Sequence, residues 1–187
     1  MQLTTYSGIA IDAENPKADQ IELIDIAIAL SRVPRFVGHT RHPYSVAEHS
    51  VLVSYLALDK YKQPYQYNQG KYYALVGLFH DAAEAYISDI PTPIKQQLKQ
   101  RIVEVELKFE EAIFDRFGIK HPDPEEKAVI KSFDNSAYSI EKEQLRADAW
   151  GYTPFKNDKT TGIVLPSMPA DEAALMFIRQ FTRINRP

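Results

Sequence analysis

Four side chains that can bind a metal ion lie in segments whose other residues have the apolar spacing of buried helix faces. They are His49, His80, Asp81 and Asp134. Burying such groups without partners costs several kcal/mol each, so they need hydrogen bonds or a shared cation. A single histidine on an apolar face is more often a core residue, and Asp134 alone fits a solvated position at the edge of its helix. Together, two imidazoles and two carboxylates could all be satisfied by one divalent cation.

The ligand types restrict the choice of metal. The chain contains no Cys, so only nitrogen and oxygen ligands are available. Imidazole and carboxylate ligands suit Mn²⁺, Fe²⁺, Co²⁺ or Zn²⁺, and they suit Mg²⁺ less well because of the imidazoles. We therefore predict a bound divalent transition metal, Mn, Co, Zn or Fe.

Helices are the elements that must position these residues. His49 lies between Val46 and Val53 on one apolar stripe, and a second stripe carries His80. Asp134 lies among the apolar residues of a third. The periodicity predicts helices over Asp19–Ser31, Ser45–Lys60, Tyr72–Ile87, Arg101–Phe117, from Pro124 to about Leu145, and Ala170–Arg183.

Capping and turn residues mark the helix ends. Asp123 as N-cap, Pro124 at the first helical position and Glu126 three residues after the cap form a strong start signal. The prolines of the sequence IPTP should end the helix that carries His80, because proline cannot continue the hydrogen-bond ladder. Gly118 should end the amphipathic helix Arg101–Phe117 as its C′ glycine.

These elements predict an all-α fold with at most a small N-terminal β-hairpin. The hairpin is expected within Thr4–Asp12, where a Ser-Gly turn separates two short alternating stretches. Residues 151–169 are expected to form an ordered loop. No repeat or linker divides the chain, so we predict a single domain over residues 1–187, with a motif-bearing core at 19–145.

Composition excludes several classes of function. The chain has 187 residues, of which 44% are hydrophobic and 25% charged, as in a soluble globular protein. A net charge of −3 without a Lys/Arg run argues against binding to duplex nucleic acid. No apolar run approaches the roughly 20 residues of a membrane span, and the N-terminus lacks the pattern of a signal peptide. We expect a cytoplasmic protein with no membrane partner.

The order His49, His80-Asp81, Asp134 on successive helices resembles the HD superfamily of metal-dependent phosphohydrolases. The segments RFVGHTRHPYSVAEHS and HDAAEAYISDIPTPIK are similar to those of bacterial 5′-deoxynucleotidases and phage-type dATP triphosphohydrolases. The similar segments run from Arg35 to Asp134. The resemblance implies an HD-domain helical bundle and a metal-dependent phosphohydrolase whose partner is a small-molecule nucleotide.

Several reactions stay open. The first similar segment is closer to the triphosphohydrolases, which favours conversion of dATP to deoxyadenosine and triphosphate. The close alternative is a 5′-deoxynucleotidase that releases phosphate from a deoxynucleoside monophosphate. A non-catalytic regulatory HD domain that binds metal or nucleotide is an alternative of another class, and so is a helical interaction protein whose polar groups pair internally. Because such relatives commonly form dimers or larger rings, formation of a homo-oligomer also stays open.

Two further acids complete the resemblance to a hydrolase. Glu84 is four residues after His80 and three after Asp81, so one helical face would carry all three. The resemblance implies that Glu84 orients or deprotonates the attacking water, although a surface ion pair is its simpler interpretation. Asp89 would be the second catalytic acid, and its simpler interpretation is a turn-forming residue.

Substrate-binding residues are also implied by the resemblance. Arg35 stands where relatives place a substrate-contacting arginine, and its planar guanidinium suits bidentate phosphate binding. Phe36 stands where relatives carry an aromatic residue, often Trp, that packs on the base. Lys95 and Lys131 are candidates for more distal phosphates, although most lysines are solvated surface groups.

The number of metal ions is inferred from the histidine count. HD proteins with two metals carry further histidines between the HD pair and the last aspartate, and here only His121 lies in that interval. The comparison favours one tightly held metal. A second, loosely bound Mg²⁺ or Mn²⁺ that bridges Glu84 and the substrate phosphates stays open.

Overall fold

Helices form most of the computed structural model, which describes residues 2–98, 100–145 and 163–186. The two strands of a short hairpin precede them. The elements are β1 (Gln2–Thr4), β2 (Ala10–Asp12), α1 (Leu23–Arg32), α2 (Val46–Lys60), α3 (Tyr67–Phe79), α4 (Glu84–Ile87), α5 (Thr92–Leu98), α6 (Gln100–Phe117), α7 (Pro124–Leu145) and α8 (Ala170–Ile184). The predicted all-α fold with a small N-terminal β-hairpin is confirmed.

Helix α2 lies at the centre of the bundle, where it contacts α1, α3, α7 and α8. The approach of α3 depends on Gly77: a Cβ added there would lie 3.1 Å from Cγ1 of Val53 on α2. His49 on α2 is fully buried. The close contact between α2 and α3 therefore brings His49 near the residues that follow α3.

Capping boxes begin the two helices that carry His49 and Asp134. At the start of α2, the Ser45 hydroxyl accepts a hydrogen bond from the Glu48 backbone N–H, and the Ser45 backbone N–H donates to Glu48. At the start of α7, Asp123 and Glu126 make the same reciprocal pair at 2.9 Å. The predicted start of α7 is thus confirmed.

The helix predicted over Tyr72–Ile87 is two helices in the structure, and its predicted start is wrong. Helix α3 begins earlier, at Tyr67, and ends at Phe79, and a turn over residues 80–83 leads to the short α4. In that turn, backbone N–H groups such as that of Glu84 donate to the carbonyl three residues earlier. Because the last carbonyls of a helix lack helical partners, this early end makes them available to side chains.

Two other helix boundaries differ from the prediction. Helix α1 begins at Leu23 instead of Asp19, because Glu22 has extended backbone angles. The IPTP prolines lie at the start of α5, a helix that the periodicity did not predict. Proline is tolerated in the first turn of a helix, where its missing N–H would have no helical partner.

The N-terminal hairpin and helix α8 pack against the rest of the bundle. Strands β1 and β2 pair antiparallel with Leu3 opposite Ile11, and the hairpin turn is tied to α1 by the Ser7 hydroxyl, which donates to Asp25 at 2.6 Å. Helix α8 packs on α1, α2 and α3. Of the loop predicted at 151–169, residues 151–162 lie outside the described part. Among the described helices, none has the length and apolar character needed to cross a membrane.

The segment after α1 has an unusual backbone. Phe36, Val37 and Gly38 have φ angles of 54°, 55° and 77°, in the left-handed region. That region is unfavourable for a β-branched residue such as Val37. The segment turns the chain between Arg35 and α2.

Candidate functional site

The four predicted metal-binding side chains converge at the ends of α2 and α3 and on α7. Nε2 of His49 lies 3.3 Å from Nε2 of His80, 3.5 Å from Oδ2 of Asp81 and 3.3 Å from Oδ1 of Asp134. Nε2 of His80 lies 3.2 Å from Oδ2 of Asp81 and 4.0 Å from Oδ1 of Asp134. The structure thus brings all four into one cluster.

The other ring nitrogens show how the two histidines are oriented. Nδ1 of His49 donates to Oε1 of Glu141 at 2.6 Å, and Nδ1 of His80 donates to the Gly77 carbonyl at 2.7 Å. A carboxylate and a carbonyl can only accept, so each Nδ1 carries its proton. In the neutral imidazoles, both Nε2 atoms are then acceptors that face each other and two carboxylates.

Such a convergence of acceptors needs positive charge. His49, His80 and Asp81 each offer a ligand atom, and these atoms all lie within 4.8 Å of one another. Nitrogen and oxygen ligands of this kind bind transition metals. Metal-bound histidines usually donate their other ring N–H to a carboxylate or a carbonyl, as both histidines do here. The three residues could hold a metal ion, and Asp134 lies close enough to join them.

In the metal-free protein, protons supply part of this charge. Burial lowers the pKa of His49, but Glu141 and Asp134 outweigh that effect and raise it to about 9. Burial raises the pKa of Asp81 and Asp134, but the neighbouring histidines outweigh it, so both carboxyl groups titrate well below their usual range. The cluster therefore keeps two carboxylates at neutral pH.

Arg35 lies beside the cluster and contacts three acids. One terminal nitrogen of its guanidinium donates to Oε2 of Glu141 at 3.3 Å. The other lies 3.8 Å from Oδ2 of Asp81 and 3.8 Å from Oδ2 of Asp89. The guanidinium thus links α7 to the turn that follows α3 and to the segment after α4.

Glu84 lies at the start of α4 and is buried. Burial, with Asp81 and Asp89 nearby, raises its pKa to about 10. Its Oε2 atom has no hydrogen-bond partner among the described residues. Burial likewise raises the pKa of Asp89, against the opposing effect of Arg35. In the metal-free protein, Glu84 therefore holds a proton at neutral pH.

A cavity of about 770 Å³ adjoins the cluster, and all the predicted catalytic and substrate-binding residues line it. Nζ of Lys95 donates to Oε1 of Glu106 on α6 at 2.5 Å, and Lys131 pairs with Oδ2 of Asp134. Both lysines are therefore paired with carboxylates. The lining comprises Arg35, Phe36, Val37, His39, Asp81, Glu84, Asp89, Ile90, Pro91, Lys95, Glu106, Lys131, Asp134, Asn135 and Tyr138.

An aromatic pair lies on one side of the cavity. The rings of Phe36 and Tyr138 are 5.8 Å apart between centroids and inclined at 43°. Tyr138 follows Asp134 by four residues on α7, so it lies one turn further along the same face. The predicted base-binding Phe36 thus has a partner that the sequence reasoning did not identify.

Glu141 is the second residue that the sequence reasoning missed. Its side chain is fully buried and contacts both His49 and Arg35. It follows Asp134 by seven residues, or two helical turns, on the face that also buries Ala137. In the sequence, the seven-residue spacing indicates that Glu141 and Asp134 lie on the same face of the helix.

Comparison with known proteins places the chain in a family. A family model described as 5′-deoxynucleotidase YfbR-like matches residues 27–144. The uncharacterized protein YfdR of Escherichia coli strain K12 is 32% identical over 170 residues, which are 91% of this chain and 82% of that protein. The uncharacterized protein RCAP_rcc00048 of Rhodobacter capsulatus is 33% identical over 159 residues, which are 83% of this chain and 76% of that protein. The chain belongs to the YfbR-like 5′-deoxynucleotidase family of the HD superfamily.

Proposed function

We propose that this protein is a metal-dependent hydrolase that releases phosphate from deoxynucleoside 5′-monophosphates. The observation that carries the proposal is the convergence of His49, His80, Asp81 and Asp134 beside a cavity that contains Arg35. A bound metal ion and the Arg35 guanidinium would both be positively charged groups at this cavity, and such a cavity would bind a phosphate group. The family's description as 5′-deoxynucleotidases supports the choice of substrate.

The four clustered residues would hold one divalent transition metal, Mn, Co, Zn or Fe. Glu141 and the Gly77 carbonyl keep the two histidines in the tautomer that presents Nε2 to the ion. The chemistry that such an ion supplies is polarisation of the phosphoryl oxygen and a lowered pKa of water. A second, loosely bound Mg²⁺ or Mn²⁺ near Glu84 stays a prediction.

Glu84 and Asp89 are the proposed proton-handling groups. Both line the cavity close to Asp81, and burial raises the pKa of each. A carboxyl group that is protonated at neutral pH can donate a proton to a leaving alkoxide. A nearby divalent charge favours the ionised form, in which the same group can accept a proton from water. The proposed division has Glu84 orienting or deprotonating the water and Asp89 as the second acid.

Arg35 is proposed to bind the phosphate that is cleaved. Its side chain is largely buried, and Glu141, Asp81 and Asp89 surround it, so its orientation is set before substrate binds. A phosphate would add charge-assisted hydrogen bonds to a guanidinium already aimed at the cavity. Phe36 and Tyr138 are proposed to pack on the base.

A second candidate function is hydrolysis of dATP to deoxyadenosine and triphosphate. The cavity volume of about 770 Å³ and the two lysines in its wall favour this candidate. Lys95 and Lys131 would have to exchange Glu106 and Asp134 for the distal phosphates. Monophosphate hydrolysis needs no such exchange, and for this reason we prefer it.

A nucleotide panel tests the proposal. The purified protein is incubated with deoxynucleoside mono- and triphosphates, and with AMP and ATP, in the presence of Mn²⁺, Co²⁺ or Mg²⁺. Chromatography should resolve a deoxynucleoside and inorganic phosphate from the monophosphates. Release of triphosphate would favour the second candidate. If every nucleotide is recovered intact and one is retained by the protein, the result would favour a non-catalytic regulatory HD domain. Location in the cytoplasm and homo-oligomer formation stay predictions.

A further inference from the structure

The buried carboxylate of Glu141 contacts both a proposed metal ligand, His49, and the proposed phosphate-binding residue, Arg35. Oε1 of Glu141 accepts from Nδ1 of His49 at 2.6 Å, and Oε2 accepts from the Arg35 guanidinium at 3.3 Å. The Glu141 side chain is 0% exposed, so both partners are bound out of contact with bulk water. Each oxygen of this carboxylate therefore has its own protein partner.

The two contacts have different chemical consequences. The bond to Nδ1 fixes the tautomer and ring orientation of His49, so that Nε2 points to Asp81 and Asp134. The bond to Arg35 holds one end of the guanidinium, while its other end lies 3.8 Å from Asp89 at the cavity. A shift of the Glu141 carboxylate would move both partners.

We propose that Glu141 is a positioning residue that couples metal binding by His49 to phosphate binding by Arg35. The proposal rests on the proposed function for the identity of the phosphate site. Its metal-binding half depends only on the His49 contact. The coupling arises because a single rigid group, anchored on α7, sets the orientation of both side chains.

A simpler interpretation is that Glu141 only balances the charges of His49 and Arg35. The variants E141Q and E141D together separate the two interpretations. An amide offers a single acceptor oxygen, so it can keep the bond to His49 or the bond to Arg35 but not both. The variant E141D keeps the charge but is one methylene shorter, so it cannot reach both partners at the observed spacing.

The first measurement is the affinity for Co²⁺ alone, without nucleotide. We expect E141Q and E141D each to bind Co²⁺ about 10-fold to 100-fold more weakly than the parent protein. The control E143Q makes the same chemical change at an exposed position on α7 and should bind Co²⁺ like the parent. Parental affinity in both Glu141 variants would overturn the proposal. Weakening in E141Q but not in E141D would leave charge balance as the role.

The second measurement tests the coupling with inorganic phosphate as the probe, at saturating Co²⁺. E141Q and R35Q should each weaken phosphate binding, and the double variant should bind about as weakly as R35Q alone. Contacting residues that act as one unit give such non-additive effects. If the two losses instead multiply in the double variant, Glu141 and Arg35 act independently and the coupling is wrong.

A third measurement needs no variant and covers the case in which E141Q fails to fold. In the Zn²⁺-loaded parent protein, long-range ¹H–¹⁵N spectra report which nitrogen of each histidine carries the proton. His49 should be protonated at Nδ1, with its proton shifted downfield by the carboxylate. Protonation at Nε2 would overturn the proposal. This result and the Co²⁺ affinities are independent of nucleotide hydrolysis, so a failed nucleotide panel would leave the metal-binding half standing.

Discussion

The buried cluster and the rim of the cavity hold their charged groups in different ways. The buried cluster consists of Arg35, His49, His80, Asp81, Asp134 and Glu141, whose side chains are between 0% and 23% exposed. The rim consists of Lys95, Glu106, Lys131 and Tyr138. His49 and Glu141 are fully buried, and each has its partner on another element of the chain. On the rim, Lys131 is 67% exposed, whereas Lys95 and Glu106 are 27% and 23% exposed and pair with each other.

This difference indicates which part of the site is preorganised. A buried charge without its partner keeps the full cost of desolvation, so changes within the buried cluster should have large effects. Exposed ion pairs contribute about 0–1 kcal/mol, because water screens them and the side chains lose entropy. The rim side chains should therefore exchange partners more readily than those of the buried cluster.

The largest effect is expected for Asp81→Ala. The substitution removes a proposed metal ligand, the nearer of the two carboxylates beside His80 and one of the three beside Arg35. Metal content, measured by elemental analysis, and nucleotide hydrolysis should both be lost. Asp59→Ala removes an exposed carboxylate and should change neither. Stoichiometric metal in Asp81→Ala would contradict the ligand assignment.

Glu84→Gln should separate chemistry from metal binding. Glu84 adjoins the cluster without being a proposed ligand, so the variant should keep its metal. Hydrolysis should slow by about 10²-fold to 10⁴-fold, the usual contribution of a proton-transferring group. Single-turnover kinetics with a metal-saturated sample would measure the step. Parental turnover would show that Glu84 does not handle the proton.

Metal affinity should depend on pH over an unusually wide range. The raised His49 pKa of about 9 means that the metal-free protein holds an imidazolium until that pH, and metal must displace its proton. Apparent Co²⁺ affinity should rise about tenfold per pH unit up to about pH 9, beyond the ordinary histidine value. The imidazolium stabilises the metal-free fold fully below about pH 6.5, and this contribution is lost as pH rises to about 9. Affinity that is constant above pH 7 would contradict the shift.

The smallest effects are expected on the rim, and they distinguish the two candidate reactions. Lys95→Ala removes a partly exposed lysine that is paired with Glu106. If monophosphates are the substrates, KM should change by less than about fivefold, because a partly exposed ion pair away from the reacting phosphate contributes about 1 kcal/mol or less. A larger rise in KM for dATP than for dAMP would instead indicate that Lys95 binds distal phosphates.

The convergence of His49, His80, Asp81 and Asp134 could be predicted from the sequence because polar groups interrupt apolar stripes there. Asp134 taken alone also fitted a solvated position, and only the set of four favoured the inward orientation. Glu141 escaped notice because Lys142, Glu143 and Gln144 follow it and make that end of α7 resemble a solvated surface. Its seven-residue spacing from Asp134 is the sequence feature that indicates an inward-facing position for Glu141.

The break between α3 and α4 could not be read from periodicity. Residues 80–85 have good helix formers, and a continuous helix would also place His80 and Glu84 on one face. In the structure, Nδ1 of His80 donates to the Gly77 carbonyl, and the N–H groups of the following turn donate to carbonyls three residues earlier, so the helical hydrogen bonding does not continue. Likewise, helix α5, which begins at the IPTP prolines, is tied to α6 by the Lys95–Glu106 ion pair, a contact that periodicity does not report.

The two histidines differ in how easily evolution or design could alter them. The outer partner of His80 is the Gly77 main-chain carbonyl, a group that every amino acid possesses and that no substitution can delete. The outer partner of His49 is a side chain, so its basicity can be adjusted by exchanging one residue. Position 141 is therefore the place where metal preference could diverge among descendants of this sequence without rebuilding the helices.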